Sequence, residues 1–111
     1  MSNDYIVTVV DDNGNKFLIN ENSSLNLSLE AGRTYEFDQS HSSNQTHPIR
    51  FSLSSTDKIS ANGISSTGTP GQSGASVTYS IPSDIAVSQV YIFCAYHGFD
   101  MGSYYNPVNI S

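Results

Sequence analysis

The chain has 111 residues, of which 13% are charged, and it sets 4 Lys plus Arg against 10 Asp plus Glu for a net charge of −6. That length makes one domain, residues 1–111, with enough chain to bury a core without disulfide staples. The single cysteine excludes an intramolecular disulfide, and the acidic balance argues against nucleic acid and anionic membranes as partners. The charged share is about half of the ~25% usual for a soluble domain, and Ser and Asn take its place on the surface. No apolar run is long enough to span a bilayer. The opening "MSNDYIVTVVDDNG" has no basic stretch followed by an apolar one, so no signal peptide is visible.

Hydrophobic residues recur with a period of two. In chain order, "YIVTVV" (5–10) predicts a strand, "DDNGN" (11–15) a turn and "KFLIN" (16–20) a second strand. "LNLSLE" (25–30) alternates Leu25, Leu27 and Leu29 with polar neighbours, "AGR" (31–33) turns the chain, and "TYEFDQ" (34–39) resumes it. "DQSHSSNQT" (38–46) is a polar loop, in which His41 is expected at the surface. "HPIRFSL" (47–53) places Ile49, Phe51 and Leu53 on one face. The stretch 54–74 is long for a loop in a compact domain and is expected to hold a short strand near Ile59 to Ile64. "SVTYSI" (76–81), "QVYIFC" (89–94) and "NPVNI" (106–110) are further strands, with at most one helical turn in "PSDIAVSQ" (82–89). This pattern predicts an all-β fold, a sandwich or barrel. Asn-x-Ser/Thr triplets at Asn22, Asn26, Asn44 and Asn109 are accounted for by composition.

The chemistry concentrates in "YIFCAYHGFDMGSYY" (91–105), which holds Cys94, His97 and Met101. In the plain reading Cys94 is a small buried hydrophobe ending a strand, His97 a turn residue and Met101 gap filler. The alternative is a metal site. A thiolate, two imidazoles and a weak thioether together suit copper cycling between Cu(I) and Cu(II). Cys94 ends a strand with His97 and Met101 on the loop after it, and His47 can supply the second imidazole from a neighbouring strand.

"HPIRF" and "YIFCAYHGFDM" resemble the two copper-ligand segments of the cupredoxins, in which a His-x-x-x-Phe strand meets a Tyr-x-x-Cys-x-x-His-x(2–4)-Met cluster. "LSLEAGRTYEFDQ" resembles the strand, glycine turn and strand that precede them. More narrowly, "GRTYEFDQSHSSNQTHPIRFS", "TGTPGQSGA" and "YIFCAYHGFDMG" resemble a cupredoxin-like domain of marine bacterial proteins and of structural proteins of their phages. The resemblance implies a Greek-key antiparallel β-sandwich. It also implies one copper per chain held by His47, Cys94, His97 and Met101, and one-electron transport without enzymatic activity. A periplasmic, extracellular or virion-associated setting follows more readily from it than a cytoplasmic one, and it is compatible with a domain of a larger protein.

One position departs from the family. Plastocyanin-like proteins carry Asn after the first His, whose N–H bonds the cysteine sulfur, whereas this chain has Pro48, which has no N–H. The N–H of Tyr96 is free to take that role from the other side, and such bonds tune the redox potential. Tyr96, Phe99, Tyr104 and Tyr105 either rim an exposed His97 edge where a redox partner docks, chiefly near Tyr96 and Phe99, or simply pack. Asp100 is expected to be solvated. Two other functions compete. In one, the fold serves as a structural or binding module of a larger surface or virion protein, with copper incidental or absent. A thiol enzyme using Cys94 and His97 fits less well, because the cysteine ends a strand and its histidine lies only three residues on. Zinc on His47, Cys94 and His97 is possible, although Met101 gives no reason to choose it.

Overall fold

A computed structural model describes residues 5–20 and 27–111. The predicted Leu25 and the triplets at Asn22 and Asn26 lie outside the described residues. Among the described residues nine strands run in chain order: β1 (Tyr5–Asp11), β2 (Asn15–Ile19), β3 (Ser28–Leu29), β4 (Thr34–Asp38), β5 (Ile49–Ser52), β6 (Ile64–Thr67), β7 (Ser76–Ser80), β8 (Gln89–Cys94) and β9 (Val108–Ile110). Two 3-10 turns, Ser42–Asn44 and Phe99–Gly102, complete the elements.

The strands form a five-stranded sheet in the order β2-β1-β4-β7-β6 and a four-stranded sheet in the order β3-β9-β8-β5. Alternation supplies the core between them: Val7, Phe17, Phe37, Val77 and Tyr79 from the first sheet, Leu29, Phe51, Ile92 and Val108 from the second. Phe51 ties the layers together, with its ring 5.0 Å from both Phe37 and Tyr79. The result is an all-β sandwich.

The expectation of antiparallel pairing throughout is corrected. Both sheets are mixed, because β1 runs parallel to β4 (Tyr5 opposite Phe37) and β3 runs parallel to β9 (Leu29 opposite Ile110). Alternation assigns residues to faces and carries no information on a neighbour's direction. The strand expected near Ile59 to Ile64 lies instead at Ile64–Thr67, where pairing with β7 fixes it, and Ile59 is exposed. Leu53 falls beyond the end of β5 and is exposed as well. Residues 82–88 form turns, with the Ile85 N–H donating to Pro82 O, and no helix.

Tyr105 is a core residue, 4% exposed, whose hydroxyl accepts the Ile19 N–H at 2.7 Å. It therefore belongs to the packing and not to a surface rim. Next to it, Gly102 is required by space. A Cβ there would sit 2.4 Å from Ile92 O and 2.8 Å from Ile92 Cβ. This close approach lays the Phe99–Gly102 turn directly on β8, just beyond Cys94.

Tyr105→Phe keeps the ring but strands the Ile19 N–H inside the core. We expect a loss of about 1–3 kcal/mol, read as a lower midpoint in urea unfolding with an unchanged slope. An unchanged midpoint would show that this donor finds another partner.

Candidate metal centre

Cys94 is the last residue of β8 and pairs with Ile49 at the start of β5. The chain then doubles back: Cys94 N–H donates to Gly98 O and Gly98 N–H to Cys94 O, each at 2.9 Å. Gly98 makes this possible with φ of 88° and ψ of −160°, a region open almost only to glycine that costs another residue about 1–3 kcal/mol. The tight loop carries His97 back over the cysteine, so Cys94 Sγ lies 3.4 Å from His97 Nδ1.

His47 arrives from the other segment. It does not begin β5, as expected, but lies two residues before it, after the Ser42–Asn44 turn. A buried amide network holds it there. Gln39 Nε2 donates to His47 O at 2.8 Å and to Asn44 Oδ1 at 3.0 Å, while Gln39 Oε1 accepts the Ile49 N–H at 3.0 Å. Asn44 Nδ2 donates to Val7 O at 2.7 Å, and Asn44 O accepts the His47 N–H at 2.8 Å. One glutamine amide thus grips the peptide groups on both sides of Pro48. Pro48 O in turn accepts the Ala95 N–H at 3.0 Å, which joins the histidine segment to the cysteine loop.

Three donor atoms converge. His47 Nδ1 is 3.2 Å from His97 Nδ1 and 3.8 Å from Cys94 Sγ. An ion with N bonds of 2.0–2.1 Å and an S bond of 2.3 Å would set tetrahedral donor–donor edges of roughly 3.3–3.6 Å. The cluster fits that size without rebuilding, and His47, Cys94 and His97 could hold one metal ion. Cys94 and His47 are buried and His97 is exposed. Met101 is buried in the Phe99–Gly102 turn and borders, with His97, Asn15 and Lys16, a cavity of about 180 Å³.

The electrostatics suit ligation. Burial lowers the His47 pKa, helped by the neighbouring His97, so its imidazole is neutral with a lone pair available. Burial pushes the Cys94 thiol up, against three opposing influences: backbone N–H groups of Tyr96 and His97, and the positive charge of Arg50. Pro48, which has no N–H, adds nothing to these influences. On its far side, His47 Nε2 lies 3.4 Å from the Asn15 side-chain amide. With Nδ1 turned to a metal, Nε2 carries the ring hydrogen, and Asn15 presents its oxygen after a turn of the amide.

His41 stays out of the cluster. It is exposed, and its Nδ1 accepts the Ser43 N–H as the cap of the Ser42–Asn44 turn. Tyr96 is 72% exposed beside His97, Phe99 is half-buried against Phe93, and Tyr104 donates to Asp12 at the surface. Asp100 is exposed. Asn44 is fully buried with its amide engaged, which removes its triplet as an acceptor. Asn15, Gln39, Asn44 and Arg50 are the site residues that sequence reasoning missed. Their signals, polar residues in a turn, a polar loop and a strand, are those of ordinary surface.

No protein-family model, curated protein or solved structure matches this chain. The case for the site therefore rests on its residues.

Replacing Gly98 by Ala should weaken metal binding. The loop must return to φ near 88° to present His97, so strain of about 1–3 kcal/mol opposes binding and raises Kd roughly 5- to 150-fold. Calorimetric titration with Zn(II), a redox-inert probe, reads this. An isotherm superposable on the parent's would mean that Gly98 does not set the position of His97.

Proposed function

We propose that the chain is a cupredoxin-type, Greek-key domain that binds one copper ion through His47, Cys94 and His97, with Met101 as a weak fourth ligand, and carries one electron. One observation carries the reading. Two imidazoles and a thiol from segments 47 residues apart set their donor atoms 3.2–3.8 Å from one another, with a buried methionine on the adjoining turn.

A bound copper ion would supply a Cu(I)/Cu(II) couple. The chain's residues do the rest. Cys94 gives the soft donor and sits at the end of a strand whose ladder fixes its position. The N–H groups of Tyr96 and His97 draw charge from its sulfur and so favour the reduced state. The Gln39 and Asn44 amides hold His47 in place whichever oxidation state is present. His97 reaches the surface, and Tyr96 and Phe99 around it offer a face for a redox partner protein. The thiol-enzyme reading draws less support, since Cys94 is 0% exposed and burial raises its pKa. A structural or binding module remains the second reading. The Ser-rich, exposed 54–69 region favours it, and it predicts a fold indifferent to copper.

One equivalent of Cu(II) should give the parent an intense visible absorption from thiolate-to-copper charge transfer. Cys94→Ala should lose that band and His41→Ala should keep it. Bleaching by His41→Ala, with His47→Ala still coloured, would overturn the ligand assignment; a colourless parent would favour the module.

Met101→Gln should keep copper bound and lower the reduction potential, because an amide oxygen is a harder donor that favours Cu(II). Cyclic voltammetry against the parent measures the shift. An unchanged potential would mean that Met101 only fills the core.

A further inference from the structure

A second cavity, of about 250 Å³, lies between β5 and the β6–β7 hairpin. Its walls include Pro48, Arg50, Thr67, Thr69 and Tyr96. It therefore touches the residues next to His47 and His97 without including any member of the metal cluster. Among the described residues no acidic side chain lines this cavity, and Arg50 is its one charged wall. Arg50 is half-buried and donates through Nη1 to Ile49 O at 2.7 Å. Among the described residues no carboxylate pairs with it, whereas Arg33 pairs with Glu30 at 3.3 Å. A guanidinium has five N–H donors in a planar fork, so most of its capacity remains to be used.

We propose that this cavity binds a small monocarboxylate, with the Arg50 guanidinium gripping the carboxylate and the threonine hydroxyls completing its hydrogen bonds. A planar fork matches a planar carboxylate through two parallel bonds. The volume equals about eight water molecules' share of the liquid, which suits an acid of a few carbons and excludes a nucleotide. Tyr96 supplies an aromatic wall for the acid's apolar end. The acid has a consequence for the neighbouring cluster, because Arg50 pairs across the strands with Phe93, next to Cys94, and its charge favours an ionised sulfur. Neutralising Arg50 makes the sulfur more electron-rich and favours an oxidised metal. That coupling rests on the copper reading; binding of the acid does not.

The probe is sodium acetate, titrated into the purified chain without added metal at ionic strength held constant with NaCl, and followed by amide shifts in NMR. We expect saturable shifts centred on Arg50, Thr67, Thr69 and Tyr96. Arg50→Gln should weaken binding at least tenfold and Thr69→Ala several-fold, while Arg33→Gln leaves it unchanged; the dispersion of each spectrum reports folding. Non-saturating shifts, equal binding by Arg50→Gln, or inorganic phosphate binding more tightly than acetate would each overturn the proposal. In the copper-loaded chain, saturating acetate should lower the potential of the parent and not of Arg50→Gln. Binding without that shift would refute the coupling alone. A chain that takes acetate but no copper would refute the metal reading and leave the acid site standing.

Discussion

The side-chain amide of Gln39 is the constraint on which the centre depends. Pro48 cannot donate a hydrogen bond, so the segment between His47 and β5 lacks one of the bonds that would ordinarily fix it. Gln39 replaces that bond with two, one to each side of the proline, and spends its remaining N–H on Asn44. Every partner in this network is buried, and a buried amide left half-satisfied costs about 1–3 kcal/mol. The network is therefore formed as a whole, and His47 has one position. A donor set that could hold one metal ion, with its atoms 3.2–3.8 Å apart, requires that of both its histidines.

The two histidines are fixed by different means. His47 is held by side-chain amides from a distant segment. His97 is held by its own loop, through the reciprocal Cys94–Gly98 bonds and one glycine at positive φ. The Ala95 N–H to Pro48 O bond couples the two halves. The cluster thus stays assembled by backbone and amide bonds that include neither imidazole nor thiol, which leaves those three groups free for a ligand. Burial then sets their chemistry: a neutral His47, and a Cys94 whose negative charge is disfavoured except where N–H dipoles, Arg50 or a cation meet it.

Much of this was legible in the sequence because it is carried by periodicity. Phe37, Phe51 and Tyr79 alternate with polar neighbours, and they are the rings that join the two sheets. The convergence of His47, Cys94 and His97 was legible from residue type and spacing. Strand direction was not, since Tyr5 and Phe37 present the same pattern to a parallel partner as to an antiparallel one. Nor was the Gln39–Asn44 network. Polar residues in a Ser-rich stretch look solvated, and their burial follows from the fold of the loop over Val7, a contact 37 residues long-range. Tyr105 misled for the opposite reason. A tyrosine near a site suggests a rim, but the hydroxyl of this one is taken up by Ile19 inside the core.

The proline after His47 has a further effect. It has no N–H to offer the sulfur, and separate groups of residues act on the sulfur and on the His47 segment. The Tyr96 and His97 N–H groups favour charge on the sulfur, and Gln39 with Asn44 holds the His47 segment. Both of those N–H groups belong to the loop that carries His97. Any movement of that loop alters an imidazole ligand and the electron density on sulfur together, whereas the amide network around His47 involves neither of those N–H groups. Stiffness on the His47 side and electronic tuning on the His97 side are thereby separated. Tyr96, whose ring is exposed and whose N–H favours charge on the sulfur, links contact at the surface to the thiol, as does the exposed His97.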